Sequence, residues 1–330
     1  MIILTKVVIV MMISLILSII TGIVLIPLLR KLKFGQSLSE YLREEHKSKQ
    51  GTPTMGGLIF IIPVIVVMLF MYIFGKIKFN TTIFIVLITF LFYAVIGFID
   101  DYLIIRKHNN KGLSESTKFI LQVLVAIIFF YLFMSSGNEP LLWIHTLGIK
   151  LDIDFLYGII ILLVLVSSSN AVNITDGLDG LAGSLSLIAF ITFGIISYNT
   201  GWLEGYEEVS LFCFSISGSL IGFLIFNLNP AKVFMGDTGS LALGATLGAI
   251  AILTRHELLL ILIGIVFVIE TLTCIIQRVY YKFTKKRLFL MTPIHHTFEK
   301  KGYSERDIVK IFCLIGILAS MLAIIFGVVL

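Results

Sequence analysis

The chain has 330 residues, of which 58% are hydrophobic and 14% are charged, and its mean hydropathy is +1.04. Soluble globular domains carry much more charge, so the composition excludes a soluble protein and predicts one integral membrane domain over residues 1–330. The excess of 25 Lys and Arg over 20 Asp and Glu suits anionic lipid or phosphate at a membrane surface, and we expect no nucleic-acid partner.

Apolar runs long enough to cross a bilayer recur along the whole chain. They predict an all-α protein with about ten transmembrane helices, over residues 7–29, 56–74, 81–99, 117–135, 156–172, 181–198, 209–226, 239–254, 258–281 and 308–328. The first run is longer than the core of a signal peptide and ends without a small-residue cleavage pattern, so we expect it to remain as a membrane helix. Segment 138–154 predicts a short hairpin on the outer surface.

The positive charges predict the topology. All Lys and Arg but five lie at or near the loops over residues 30–55, 100–116, 173–180, 227–238 and 282–307. The exceptions are Lys6, Lys76, Lys78, Lys150 and Arg255. By the positive-inside rule these loops are cytoplasmic, and an even number of spans then places both termini outside the cytoplasm. The same loops hold nearly every polar cluster, so the five cytoplasmic loops are expected to form the active site.

A polar, glycine-rich stretch separates two long apolar runs, with the sequence Ala171-Val-Asn-Ile-Thr-Asp-Gly-Leu-Asp-Gly-Leu-Ala-Gly183. It places Asn173, Asp176 and Asp179 at one edge of the membrane. Carboxylates beside hydrocarbon are costly, and their clustering with glycines that expose the backbone predicts an ion or phosphate site facing water.

Two other loops carry aspartates. The third span ends with Asp100 and Asp101, and two adjacent carboxylates suit a Mg²⁺ ion that carries diphosphate. The alternative is a pair of solvated charges, but an acid pair at a helix C-terminus opposes the helix dipole, which favours a functional role. Segment 227–240 places Asp237 between two glycines just before a helix. Five aspartates in three loops exceed the needs of helix capping.

Two lysines precede or begin predicted helices. The first loop ends with Lys49-Gln-Gly-Thr-Pro-Thr-Met-Gly-Gly57, whose glycines, hydroxyls and lysine are the materials of an anion cradle. An ordinary helix start after a lysine-rich loop is an equally good interpretation of this run. Lys118 at the start of the fourth span opposes the helix dipole, which indicates an anionic partner, with snorkelling to the interface as the alternative.

The last loop holds Met291-Thr292-Pro293-Ile-His295-His296-Thr297. Thr before Pro predicts a helix start with Thr292 as the cap, which places His295 and His296 where neutral imidazoles donate to an anion or a substrate hydroxyl. Adjacent histidines lack the spacing of a zinc site. Glu270, near the middle of the ninth span, is expected to bond a neighbouring helix and is left outside the site.

The residues alone predict a magnesium-assisted phosphoryl-transfer site at the cytoplasmic membrane surface, with a lipid as donor or acceptor. No Ser-His-Asp triad, P-loop lysine motif or dinucleotide-binding glycine pattern is present. The three cysteines lie in apolar runs without CxxC spacing, so we expect neither a metal site nor a disulfide from them. A secondary transporter, the alternative from another class, would place its polar residues near the middle of the membrane.

Five motifs resemble those of the phospho-N-acetylmuramoyl-pentapeptide transferases (the MraY family), within the polyprenyl-phosphate N-acetylhexosamine-1-phosphate transferases. They are Lys49-Gln-Gly-Thr-Pro-Thr-Met-Gly-Gly57, Gly97-Phe-Ile-Asp-Asp-Tyr102, Asn173-Ile-Thr-Asp-Gly-Leu-Asp-Gly180, Phe234-Met-Gly-Asp-Thr-Gly-Ser240 and Pro293-Ile-His-His296. The aspartate motifs are shared across the superfamily, whereas the first and last motifs point to the muramoyl branch. The nearest alternative is a sister transferase that uses UDP-N-acetylglucosamine and differs in the histidine loop.

The resemblance implies transfer of phospho-MurNAc-pentapeptide from UDP-MurNAc-pentapeptide to undecaprenyl phosphate, which gives lipid I and UMP and is the first membrane step of peptidoglycan synthesis. It implies Mg²⁺ as cofactor, the bacterial cytoplasmic membrane as location with the lipid bilayer as partner, and a homodimer. We expect direct attack by the lipid phosphate, without an aspartyl-phosphate intermediate, because aligning two phosphates needs charge neutralisation more than covalent machinery.

The resemblance also implies residue roles. Asp237 is the implied magnesium ligand, Asp100 deprotonates or positions the acceptor phosphate, and Asp101 supports the metal or the lysines. His295 and His296 are the implied donors near the sugar. The implied substrate-binding residues are Lys49 and Lys118 at phosphate, Asn173 and Asp176 in the polar shell on the nucleotide side, and Gly177, Leu178, Asp179 and Phe234 at uracil. Thr54 and Asn227 are further implied substrate-binding residues. The chain departs from the family in having Thr297 where a third histidine is usual and Ile104 where a lysine is common.

Overall fold

The computed structural model describes residues 2–32, 49, 51–107, 112–144 and 148–329. Within these ranges the regular structure is helical apart from one two-stranded hairpin. The elements are α1 (Ile2–Lys31), α2 (Leu58–Ile73), α3 (Thr81–Lys107), α4 (Glu115–Ser135), β1 (Leu141–Ile144), β2 (Ile149–Asp152), α5 (Tyr157–Thr175), α6 (Leu181–Asn199), α7 (Tyr206–Asn227), α8 (Gly236–Leu253), α9 (Glu257–Ile263), α10 (Ile265–Thr284), α11 (Ile294–Lys300) and α12 (Glu305–Ile324). A 3₁₀ turn, Asp154–Leu156, precedes α5, and a π turn, Ile325–Val329, follows α12.

The structure confirms an all-α integral membrane protein. Each predicted apolar run coincides with a helix or, for the ninth run, with the pair α9 and α10. In the described part of the chain, 8 helices are long and apolar enough to cross a membrane, or up to 9 if the bent pair is one span. Helix α2 is apolar but has only 16 residues. The number of spans and the side on which each loop lies therefore stay predictions.

The ninth predicted run, residues 258–281, is not the continuous helix that its hydropathy predicted. Helices α9 and α10 meet at Gly264 with a bend of 87°. Gly264 has φ −95° and ψ 22°, and glycine leaves helical geometry at low steric cost. Hydropathy reports the length of an apolar run and carries no information about its direction, so the prediction missed the bend. An apolar cavity of about 410 Å³ lies between α5, α8, α9 and α10.

The predicted hairpin is present and is tied to the connection after α8. Strands β1 and β2 pair in antiparallel fashion, and the Lys150 ammonium lies 4.2 Å from the centre of the Trp143 ring. Arg255, between α8 and α9, donates to the main-chain carbonyls of Glu139 and Leu141 at 2.6 and 2.9 Å. These bonds fix the hairpin to the helical body. Its turn, residues 145–147, lies outside the described residues.

Helix α8 is the centre of the fold. Every residue of this helix is buried except Asp237 in its first turn. Small residues such as Ser240, Gly244 and Gly248 permit this close packing. A Cβ added to Gly244 would lie 2.3 Å from the Ser168 carbonyl oxygen of α5. The fold therefore encloses an apolar helix and leaves its first carboxylate accessible.

Candidate active site

The run that precedes α2 forms backbone hydrogen bonds to the segment that precedes α8. The amides of Gly56 and Gly57 donate to the carbonyls of Phe234 and Met235 at 2.8 and 2.9 Å. A Cβ added to Gly57 would lie 2.5 Å from the Cα of Gly239, so the run needs glycine for close approach. The anion-cradle interpretation is wrong for these two amides, because both already donate within the protein. The run instead builds the support for the N-terminus of α8.

Asp101 caps that N-terminus. Its carboxylate accepts hydrogen bonds from the Asp237 amide at 3.2 Å, from the Thr238 amide at 3.0 Å and from the Thr238 hydroxyl at 2.6 Å. Asp101 is only 2% exposed. A carboxylate that is unfavourable for its own helix end is here stabilised by the positive end of another helix. This residue therefore positions Asp237.

Lys118 lies between two carboxylates. Its Nζ is 2.6 Å from Asp237 Oδ2 and 3.2 Å from Asp100 Oδ1. Asn173 donates from Nδ2 to Asp237 Oδ1 at 2.7 Å and to the Ser240 hydroxyl at 2.9 Å. The anionic partner that the sequence indicated for Lys118 is thus found within the protein, where α3, α4, α5 and α8 meet. We call Asp100, Lys118, Asn173 and Asp237 the Lys118 cluster.

The two carboxylates of the Lys118 cluster differ in accessibility. Asp100 is 4% exposed, and the Leu113 amide donates to its Oδ1 at 2.9 Å. Gly112 covers it so closely that an added Cβ would lie 2.6 Å from the carboxyl carbon. The Asp237 side chain keeps 21% of its surface exposed. Asp237 is therefore the carboxylate of the pair that meets a ligand from outside most directly.

Asp176 adds a further negative charge next to this cluster. It follows the last residue of α5, and its amide donates to the Asn173 carbonyl at 3.2 Å. Desolvation by the surrounding protein, followed by the charges of Asp237, Asp101 and Asp179, raises the pKa of the Asp176 carboxyl well above its usual range. Such crowding of like charges is relieved by a cation.

Lys49 repeats the arrangement of Lys118 at a second place. Its Nζ lies 2.7 Å from Asp179 Oδ1 and 2.5 Å from Glu305 Oε1. Asn229 donates from Nδ2 to Glu305 Oε2 at 2.7 Å and to Asp179 Oδ2 at 3.2 Å. We call Lys49, Asp179, Asn229 and Glu305 the Lys49 cluster. It joins the first loop, the loop after α5, the loop after α7 and the start of α12.

The residues predicted at uracil are partly accessible. Gly177 is exposed and Phe234 is half-buried, whereas Leu178 belongs to the apolar core and Asp179 is buried. Phe234 therefore offers ring surface to a base, and Gly177 offers its backbone. Leu178 contributes packing beneath them.

Two predicted substrate-binding residues face the protein interior. Asn227 donates to the Val233 carbonyl at 2.9 Å and accepts from the Gly180 amide at 3.1 Å. Thr54 is 1% exposed, and a Cβ added to Gly236 would lie 2.6 Å from its hydroxyl oxygen. Asn227 joins two loops, whereas Thr54 packs beside Gly236, and neither side chain is at the surface of the site.

Helix α11 begins one residue later than predicted, and Thr292 is not its cap. Pro293 occupies the cap position with φ −57° and ψ 164° and makes no side-chain capping bond, whereas the His295 amide in the first turn donates to Oε2 of Glu270 at 3.5 Å. Thr297 fixes the loop instead, because its hydroxyl donates to the Met291 carbonyl and accepts from the Met291 amide at 3.1 Å. The residue that replaces the family's usual third histidine therefore joins the loop to α11.

The two histidines have different surroundings. His295 is buried, and its Nδ1 lies 3.1 Å from Oε2 of Glu270 in α10, which is an ion-pair distance without hydrogen-bond geometry. On the other side of the ring, a Cβ added to Gly177 would lie 2.4 Å from Nε2. His296 is bonded through Nδ1 to Glu299 at 2.6 Å. Glu270, which the sequence analysis left outside the site, therefore contacts one of its histidines.

Sequence reasoning missed Glu305, Asn229 and Thr238. Asn229 carried a weak signal, since it lies in the polar loop that leads to the Asp237 motif. Glu305 carried none, because an acid in the first turn of a helix is sufficiently explained by the helix dipole. Thr238 was identified only as a member of the motif around Asp237.

Asp237 is the candidate ligand for a magnesium ion, because it is the more exposed carboxylate of the Lys118 cluster. Within the described ranges, no three His, Cys, Asp or Glu side chains form a metal-binding group by themselves. Magnesium usually takes one or two carboxylates and completes its shell with phosphate oxygens and water, so a single accessible Asp is a sufficient protein ligand. The other residues of the first loop, 33–48 and 50, and residues 108–111 lie outside the described residues.

The fold and the site define a membrane-embedded phospho-sugar transferase. Residues 83–255, which include α3 except for its first two residues, the Asn173 motif and the whole of α8, match the family model of glycosyl transferase family 4. Residues 49–61 match phospho-N-acetylmuramoyl-pentapeptide-transferase signature 1, which begins at Lys49 and contains the glycines that support α8.

Relatives that align with nearly the full chain show which family it belongs to. The phospho-N-acetylmuramoyl-pentapeptide-transferase of Geobacillus thermodenitrificans is 43% identical over 319 residues, which are 96% of this chain and 97% of the relative. The protein of that name from Staphylococcus epidermidis is 44% identical over 96% of this chain and 98% of its own length. The one from Listeria monocytogenes is 44% identical over 91% of both. The chain belongs to the phospho-N-acetylmuramoyl-pentapeptide-transferase family.

Proposed function

We propose that the chain transfers phospho-MurNAc-pentapeptide from UDP-MurNAc-pentapeptide to undecaprenyl phosphate, giving lipid I and UMP. An oxygen of the lipid phosphate attacks the sugar-linked phosphorus of the donor. The bond between the two donor phosphates then breaks, and UMP leaves with the bridging oxygen. The observation that carries this proposal is the Lys118 cluster, where a cation and an accessible carboxylate meet at the N-terminus of the central helix.

The residues of the Lys118 cluster neutralise and align the phosphates. Lys118, 2.6 Å from Asp237 and 3.2 Å from Asp100, supplies positive charge where negative charge accumulates during transfer. Asp100 is covered by Gly112 and Leu113, so it acts by holding Lys118 and the acceptor phosphate in register. Asp101 is engaged at the start of α8. These positions favour direct attack over an aspartyl-phosphate intermediate on Asp100 or Asp101.

Mg²⁺ fits the donor set of this site. Asp237 would hold it, and when bound it supplies charge neutralisation for the diphosphate. The crowding of Asp237, Asp101, Asp179 and Asp176, which raises the pKa of the last, supports a need for positive charge here. Lys118 and Asn173 now occupy the two oxygens of Asp237, so they must yield one to the ion.

The donor is proposed to lie along the loop after α5. Phe234 stacks on uracil, and the backbone of Gly177 borders the base. Lys49 contacts a phosphate, and His295 and His296 serve as donors near the sugar. Because His295 packs against Gly177, the histidine loop and the loop after α5 together form one wall of the proposed donor site.

The apolar cavity is proposed to hold the first isoprenoid units of the acceptor. Its lining follows α5 through Ser168 and Ala171 to Val172. The next residue along α5 is Asn173, which donates to Asp237 at 2.7 Å. A chain lying in this cavity would therefore present its phosphate to the Lys118 cluster.

The site is proposed to face the cytoplasm of a bacterial plasma membrane, with both termini outside and ten spans. The support is the distribution of Lys and Arg, all but five of which adjoin the five loops of the site. The homodimer that the family resemblance implies stays a prediction.

Release of UMP from purified protein in detergent tests the proposed reaction. UDP-MurNAc-pentapeptide and UDP-N-acetylglucosamine are offered in parallel with undecaprenyl phosphate and Mg²⁺. We expect release from the first donor only, with kcat lowered about 10³-fold in Asp237→Asn. Asp152→Asn on the hairpin is the matched control and is expected to retain activity. Release from the second donor only would support the sister branch, and release from neither, with folded protein, would contradict the transferase assignment.

A further inference from the structure

The Lys49 cluster contains one cation and two carboxylates, and it is largely shielded from water. The side chains of Lys49, Asp179 and Glu305 are 14%, 2% and 13% exposed. Ion pairs at such positions are weakly screened, and their geometry is more strongly held than that of surface pairs. A lysine held in this way has lost most of its rotamer freedom before any ligand arrives.

Glu305 is the residue that connects the members of this cluster. Its Oε1 accepts from Lys49 Nζ at 2.5 Å and from the Asp179 amide at 2.6 Å. Its Oε2 accepts from Asn229 Nδ2 at 2.7 Å. One carboxylate thus contacts the first loop, the loop after α5 and the loop after α7.

The next residue strengthens this arrangement, while the helix itself does not need Glu305 to begin. Arg306 donates to the side-chain oxygen and to the carbonyl of Asn229, both at 3.1 Å. The cap of α12 is Ser304, whose hydroxyl accepts from the Asp307 amide at 3.2 Å. Since Ser304 and Asp307 provide the helix start, the contacts of Glu305 serve the loops and not α12.

We propose that Glu305 is a positioning residue for donor binding, which places the Lys49 ammonium before UDP-MurNAc-pentapeptide arrives. The proposal rests on the proposed role of Lys49 as a phosphate contact of the donor. Holding a flexible lysine in place lowers the entropic cost of binding, so the benefit falls on donor affinity. The Lys118 cluster shares no residue with the Lys49 cluster, so the transfer step itself is unaffected.

A double-mutant cycle of Glu305→Gln and Lys49→Met tests this proposal through donor KM and kcat. Gln keeps the length of the side chain and removes its charge. We expect Glu305→Gln to raise donor KM about tenfold with kcat and acceptor KM within about threefold of the parent. Because Glu305 acts through Lys49, the double variant should match Lys49→Met alone. Asp307→Asn, an exposed acid two residues along the same turn, is the control and should leave donor KM unchanged.

Three results would overturn the proposal: an unchanged donor KM in Glu305→Gln, additive effects in the double variant, or a loss of kcat without a change in KM. An unchanged donor KM in Lys49→Met would instead refute the proposed role of Lys49, and this inference with it. If Glu305→Gln does not fold, Glu305→Asp keeps the charge and shortens the reach. It is expected to raise donor KM about fivefold, and a value equal to the parent's would contradict the proposal.

Discussion

The Lys118 and Lys49 clusters share one motif, a lysine between two carboxylates, and use it differently. In the Lys118 cluster, Asp237 keeps 21% of its side chain exposed, and Lys118 is equally exposed. In the Lys49 cluster, Asp179 is 2% exposed, and its Oδ2 accepts from the Ala231 amide and from Asn229. The first cluster is open toward a ligand, and the second holds loops together.

This difference suggests how one arrangement of charges can serve two purposes. Whether a carboxylate binds a ligand or supports the fold depends on which groups donate to its oxygens. A carboxylate that accepts backbone amides fixes the geometry of a loop, as Asp101 and Asp179 do. A carboxylate bonded by side chains alone, as Asp237 is, can exchange them for an ion or a phosphate. We therefore propose that the transfer step takes place at the Lys118 cluster and that the Lys49 cluster belongs to the donor site.

Among the substitutions that test this comparison, replacement of Lys118 is expected to have the largest effect on turnover. Lys118→Gln removes the cation between Asp100 and Asp237, and we expect kcat for UMP release to fall about 10³-fold. Lys107→Gln, at the exposed end of α3, is the matched control and should behave as the parent. A kcat within about threefold of the parent in Lys118→Gln would remove the lysine from the reaction.

Replacement of Asp101 distinguishes a structural role from a catalytic role for this residue. Asp101→Asn places an amide where the Thr238 and Asp237 amides donate, so we expect a loss of about 1–3 kcal/mol in the free energy of unfolding. A lower Tm in detergent should report it, with kcat reduced about tenfold because Asp237 is less well placed. An unchanged Tm with complete loss of turnover would instead give Asp101 a direct part in the reaction.

The contact between Glu270 and His295 is expected to have a moderate effect on the donor side. Glu270→Gln removes the charge 3.1 Å from Nδ1, so the ring is less firmly held against Gly177. We expect donor KM to rise about fivefold with a smaller change in kcat. Glu299→Gln, beside the less buried His296, is the matched comparison and should change KM less. Equal changes of donor KM in the two variants would show that the burial of the Glu270–His295 contact does not affect donor binding.

The smallest effect is expected at Thr297. Thr297→Val keeps the shape of the side chain and removes the hydroxyl that bonds Met291, which should cost about 1 kcal/mol of stability. Activity should stay within about threefold of the parent, and Thr297→Ser should restore the Tm. A large loss of turnover in Thr297→Val would mean that this hydroxyl substitutes chemically for the third histidine.

The sequence predicted the helices, the hairpin and the loops of the site because these follow from hydropathy and motif chemistry. The bend at Gly264 was not predicted, because hydropathy contains no information about helix direction. The interior positions of Thr54 and Asn227 were not predicted either, because a polar residue in a conspicuous loop has the same sequence pattern whether it faces a ligand or the protein interior.

The partners of the lysines could not be predicted for a different reason. Glu305 lies 256 residues from Lys49 along the chain, and Asp237 lies 119 residues from Lys118. Such pairs depend on how the helices pack, which the charge pattern of one sequence does not encode. The position of Lys118 at a helix start did indicate an anionic partner, and the carboxylates of Asp237 and Asp100 lie beside it.

Donor affinity of Lys118→Gln and Lys49→Gln, measured side by side, tests the division of labour most directly. Each purified variant is titrated with UDP-MurNAc-pentapeptide in the presence of Mg²⁺ and without acceptor. Our account predicts that Lys49→Gln weakens donor Kd about tenfold, while Lys118→Gln keeps Kd within about threefold of the parent although its turnover is lost. An equal or larger loss of affinity in Lys118→Gln would contradict the assignment of transfer to one cluster and donor binding to the other.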